Sequence, residues 1–180
     1  QFGIGGNICA VGAKKDNYAT VTITGGTVEK GEANGRGGNI DAHQYANLVL
    51  GAEDATENDL ALIAEGKSNT SSGGCGGNLF VRNDSTLTIN NGITIQDGIA
   101  SNQGGNIFFD SEEAFVVSGG CIQDGTAKEG GNIYLKNKVD ATLQGGTISG
   151  GSASQNGGNI NNLGALTVSG SAITGGAAKN

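Results

Sequence analysis

Gly-Gly-Asn followed by Ile or Leu occurs six times in this chain, as Gly5-Gly6-Asn7-Ile8, Gly37-Gly38-Asn39-Ile40, Gly76-Gly77-Asn78-Leu79, Gly104-Gly105-Asn106-Ile107, Gly130-Gly131-Asn132-Ile133 and Gly157-Gly158-Asn159-Ile160. Successive asparagines are 32, 39, 28, 26 and 27 residues apart. That period fits one coil of a solenoid, in which each unit buries its apolar face only against its neighbours.

The stretches between these markers share one pattern. Val21-Thr22-Ile23-Thr24-Gly25-Gly26-Thr27-Val28 alternates apolar and polar residues with the two-residue period of a strand, breaks at a glycine pair and resumes. Copies run from Leu87 to Ile95, Phe115 to Ile122, Ala141 to Ile148 and Leu166 to Ile173. Each unit therefore predicts three short strands joined by glycine corners. A second ladder, Gly31, Gly98, Gly125, Gly151 and Gly176, is followed two residues later by Ala33, Ala100, Ala127, Ala153 and Ala178, and marks a corner too tight for a larger side chain. Helices are excluded, because each of these glycines would cost a helix about 1 kcal/mol. A β-sandwich also uses short strands, but it does not need one residue type at one phase of every unit. A parallel β-helix does, since equivalent positions stack about 4.8 Å apart.

The expected fold is all-β, a single-stranded parallel β-helix of about six coils, with residues 1–180 as one domain and an irregular insertion around 41–75. In the insertion, Leu48-Val49-Leu50 and Leu60-Ala61-Leu62-Ile63 read as strands, Glu53 to Asp59 as an acidic loop and Ser68 to Gly77 as a flexible Ser/Gly stretch. The chain has 35 glycines but no proline and no Gly-X-Y period, which excludes collagen and Pro-rich disorder. Without Met or Trp, its core should be a thin aliphatic column. A net charge of -7 argues against nucleic acid as a partner, and no apolar run approaches the roughly 18 residues of a membrane span. Cys9, Cys75 and Cys121 lack the paired spacing of a zinc site; they allow one bridge with a thiol left over, or three unpaired thiols. A start at Gln1 is read as a processed product or a fragment whose secretion signal has gone.

In the strand after each marker, the Ile or Leu and the residue two later (Ala10, Ala42, Val81, Phe109, Leu135, Asn162) should face the core. The other face then carries Asn7, Asn39, Asn78, Asn106, Asn132 and Asn159, expected to form an amide ladder in which each side chain bonds to its copies above and below. Beside it run Cys9, Asp41, Phe80, Phe108, Tyr134 and Asn161, with Phe80, Phe108 and Tyr134 expected to stack as an aromatic row.

Strand–Gly-Gly–strand units ending in Gly-Gly-Asn-Ile resemble right-handed β-helix proteins of the pectate-lyase-like superfamily. Within it they are most similar to the surface repeats of polymorphic outer membrane proteins and related adhesins, which alternate Gly-Gly-Ala-Ile with Phe-x-x-Asn. Here Asn stands for Ala in the first motif; Phe80-Val81-Arg82-Asn83 matches the second and Tyr134-Leu135-Lys136-Asn137 comes close. The resemblance implies a right-handed coil and an extracellular or cell-surface protein used for adhesion or structure.

Catalytic strings are missing. The Asn-Thr-Asp, Asp-Asp, Gly-His-Gly and Arg-Ile-Lys strings of galacturonan hydrolases do not occur, and the single histidine, His43, has no partner at an interpretable spacing in sequence. Asp97 and Asp124 occupy matching Gln-Asp-Gly positions and are weak cation candidates against a plain turn-capping role. Asn69-Thr70-Ser71 and Asn83-Asp84-Ser85 are candidate glycosylation sequons.

No capping element is evident at either end, so protomers are expected to stack head to tail into a fibre, unless the chain is an excised piece of a longer solenoid. The expected function is thus a non-catalytic, cofactor-free structural protein assembling into filaments or a surface stalk. The second reading is a carbohydrate- or ice-binding module using Thr22, Thr24, Thr88, Thr142 and Thr167 or the Asn/aromatic face. The third, a polysaccharide lyase or hydrolase, lacks its motifs.

Overall fold

The computed structural model describes residues 3–56, 59–69 and 73–179. Four parallel sheets of six strands each make up the described chain. The sheets run side by side, because each coil contributes one strand to each of them. In the third coil these are Leu79–Arg82, Thr86–Ile89, Ile93–Gln96 and Ile99–Ala100.

Every rung pairs with the equivalent residues of the next. Ile8, Ile40, Leu79, Ile107, Ile133 and Ile160 form one file of the first sheet, as the repeat requires. The inward files of three sheets meet in a single apolar column. Ile40, Leu79 and Ile107 come from the first sheet, Leu48, Leu87 and Phe115 from the second, and Ile63, Ile95 and Ile122 from the third; all are buried to within 1%. Apolar burial stabilises at roughly 25 cal/mol per Å², so this column is the main source of cohesion.

The sequence predicts three strands per coil, and the chain forms four. The additional sheet consists of Glu32–Ala33, Lys67–Ser68, Ile99–Ala100, Thr126–Glu129, Ser152–Asn156 and Ala177–Ala178. The Gly-x-Ala ladder, read as a tight corner, is this strand. Its small residues Ala33, Ser68, Ala100, Ala127 and Ala153 are buried. Four of its six strands are two residues long, too short to display alternation, which is why periodicity missed it.

The Gly-Gly corner has a steric cause. Gly104 has φ +64°, and a Cβ on Gly105 would lie 2.0 Å from the Gly131 carbonyl oxygen of the next coil. Side chains are excluded there by the backbone one rung away.

The surplus residues of the first two coils go into corners. Residues 12–18 separate Ile8–Val11 from Ala19–Ile23, and residues 51–60 separate Ala46–Leu50 from Ala61–Ala64. The flanking strands keep their register with the third coil. Leu60, expected in a strand, precedes it and is 65% exposed. Glu57, Asn58 and residues 70–72 of the acidic loop and the Ser/Gly stretch lie outside the described residues.

Candidate functional site

The six marker asparagines are joined side chain to side chain. Nδ2 donates to the next Oδ1 from Asn7 to Asn39 (2.8 Å), Asn39 to Asn78 (2.7 Å), Asn78 to Asn106 (2.7 Å), Asn106 to Asn132 (2.8 Å) and Asn132 to Asn159 (2.9 Å). Each amide also closes its own coil. For Asn106, Oδ1 accepts from the Gly98 N–H at 2.9 Å and Nδ2 donates to the Gln123 carbonyl at 2.7 Å. All bonds of the ladder point the same way along the rod. Asn39, Asn78, Asn106 and Asn132 are fully buried, so their hydrogen-bonding capacity has to be met by protein groups.

The outward file next to the ladder divides into two chemistries. Phe80, Phe108 and Tyr134 stack with centroids 4.8 and 5.6 Å apart and planes 4° from parallel. These rings are not open to solvent: each is 4% exposed, with Cys75 packed against them and the Arg36 guanidinium 5.2 Å from the Phe80 centroid. The rings thus present no open face along this file. The Thr row is also interrupted. Thr22, Thr88, Thr142 and Thr167 share a file with Val49 and Val116, and Thr24 lies beyond the strand Ala19–Ile23.

At the first two rungs the same file is polar. Parallel pairing sets Cys9 beside Asp41, and His43 follows two residues later on the same face. The ligand atoms of Cys9, Asp41 and His43 lie within 4.8 Å of one another. Asp41 is fully buried. Its Oδ1 meets His43 Nδ1, whereas Oδ2 has no hydrogen-bond partner and faces Arg36 Nε at 3.5 Å. Burial raises the Asp41 carboxyl above the usual carboxylate range, against the opposing pull of Arg36 and His43. Burial and then the neighbouring Asp41 push the exposed Cys9 thiol up.

His43, unpartnered in sequence, is thus partnered in space. The signal was the phase of the repeat: Cys9 and Asp41 both stand two residues after a marker asparagine, and His43 four after.

The other sequence candidates lie apart from this cluster. Asp97 and Asp124 are exposed at left-handed turn positions with φ 53° and 55°, and they join no group of three metal-ligating side chains among the described residues. Asn83 is exposed and also left-handed, at φ 54°, while Ser85 of its sequon is buried and donates to the Asn83 carbonyl. Asn69 is exposed, and Thr70 and Ser71 of its sequon lie outside the described residues. Cys9, Cys75 and Cys121 are all free thiols.

Comparison with protein-family models, curated proteins and solved structures gives no match. Function therefore has to be argued from the geometry. One further concavity bears on it, a polar groove of about 410 Å³ at the corner between the first and second sheets, lined by Asn83, Asp84, Asp110, Glu112, Lys136 and Lys138 among others.

Proposed function

We propose that the chain is a non-catalytic structural rod of the extracellular or cell-surface kind, extended by rung-on-rung stacking with further copies of itself. The observation that carries this reading is the one-way amide ladder. It presents an acceptor, Asn7 Oδ1, at the first rung and a spare donor, Asn159 Nδ2, at the last. The two faces of the described rod are complementary in the sense that a heterologous, propagating contact requires. The Gly-Gly-x-Ile resemblance to surface adhesins of the pectate-lyase-like superfamily supports the same setting.

Sedimentation of the 180-residue chain over a concentration series, with negative-stain imaging, tests this. Threads that lengthen with concentration are expected. A monodisperse monomer at high concentration would contradict self-stacking and favour a next rung supplied by a longer chain.

The polar groove favours a second reading, an adhesive rod that holds carbohydrate through its carboxylates, amides and lysines. A glycan array with an Asp110→Ala, Lys136→Ala control tests it. Binding that survives the double substitution, or no binding at all, would dispose of the groove as a sugar site.

A further inference from the structure

The geometry points to a divalent transition-metal site of the zinc class at Cys9, Asp41 and His43, at the polar end of the first sheet's outward file. Three observations converge on it. The first is the donor set: one sulfur, one carboxylate and one imidazole, all within 4.8 Å of one another. Borderline cations such as Zn²⁺ and Co²⁺ take this mixture, whereas Ca²⁺ and Mg²⁺ require oxygen alone.

The second is Asp41 itself. A carboxylate that is fully buried, with Oδ2 lacking any hydrogen bond and a guanidinium only at 3.5 Å, is poorly compensated. A cation shared with Cys9 and His43 would supply what is missing. Arg36 can give up Oδ2 without losing its place, because it already lies over the Phe80 ring.

The third is rigidity together with access. Asp41 and His43 sit on a strand paired on both sides, and Cys9 sits on the outermost described strand with its thiol exposed. Tetrahedral zinc with these donors needs ligand–ligand separations of about 3.3–3.6 Å, so the Cys9 sulfur has to approach by up to about 1 Å, within reach of a side-chain rotation, while the Asp41 Oδ1–His43 Nδ1 hydrogen bond opens to admit the ion. The thiol loses its proton to solvent on coordination, and the fourth position is left to water.

Cobalt(II) titration of the reduced 180-residue chain, read by the thiolate-to-cobalt charge-transfer band, tests the site. One ion per chain is expected, displaced by Zn²⁺. Cys9→Ser should abolish the band. His43→Gln should weaken binding by at least about 100-fold, beyond the roughly 10–100-fold that loss of an outer-shell partner costs. The double variant Cys75→Ser, Cys121→Ser should keep both band and affinity.

Cys9 is exposed whereas His43 is buried, so strand circular dichroism checks that both Cys9→Ser and His43→Gln fold. Absence of the band in the wild-type chain, or a band that persists in Cys9→Ser, would overturn the assignment. Filament imaging reads the structural role separately, so neither result stands in for the other.

Discussion

The outward file of the first sheet changes character along the rod while the backbone beneath it does not. Cys9 and Asp41 at its first two rungs are a thiol and a buried carboxylate; Phe80, Phe108 and Tyr134 at the next three are stacked rings. Pairing is parallel and in register through both halves. The difference teaches that position is fixed by the inward column and the amide ladder, which leaves the outward chemistry free to vary from one rung to the next. Aromatic rungs gain cohesion from stacking with their own copies. Like-charged rungs could not stack that way, so the polar half combines unlike groups.

Four substitutions probe this contrast, the largest effect first. Asn106→Leu removes an element both halves share: in a dry site it leaves the Gly98 N–H and one Asn78 amide N–H unpaired, and it takes from the Gln123 carbonyl one of its two bonds. At about 1–3 kcal/mol per buried group left unpaired, a loss of about 4 kcal/mol or more in urea unfolding is expected. Phe108→Ala breaks the aromatic half alone, by taking the middle ring from the stack, and should cost about 3 kcal/mol in the same measurement.

Asp41→Phe turns the contrast into a test of itself, because it extends the aromatic row by one rung and removes an under-compensated carboxylate. A gain of about 1 kcal/mol is expected on thermal unfolding, since a buried carboxylate is removed and a stacked ring added, while the half-exposed Arg36 keeps the Phe80 ring as its neighbour. Cobalt binding should be lost in the same variant. Destabilisation by Asp41→Phe would mean that the polar half contributes to stability and is not kept for a ligand. Lys138→Met removes an exposed ion pair to Glu112 at 3.0 Å, outside both halves, and should change stability by less than about 0.5 kcal/mol.

Much of this architecture is legible in the sequence, because a solenoid writes its geometry as repetition. The spacing of Asn7, Asn39, Asn78, Asn106, Asn132 and Asn159 sets the coils, and the alternation in Val21-Thr22-Ile23 and Leu87-Thr88-Ile89 sets which side chains face inward. The fourth strand escaped because pieces such as Glu32–Ala33 and Ile99–Ala100 are too short to carry a period.

The burial of Phe80, Phe108 and Tyr134 escaped for another reason. Alternation tells which way a side chain points but not whether a corner residue such as Cys75 folds back over it. The polar cluster lay between these cases. Repeat phase already aligned Cys9 with Asp41, but 34 residues separate Cys9 from His43, and only the register carries that distance.

The side-chain amides of Asn78, Asn106 and Asn132 offer the most direct test of the ladder, by hydrogen exchange followed in two-dimensional ¹H–¹⁵N spectra after transfer to D₂O. Signals that persist as long as the backbone amides of Leu79–Arg82 and Ile107–Asp110 are expected, because both open only when rungs separate. Side-chain amide signals that vanish at once while those strand amides endure would contradict a rod held in register by its asparagines.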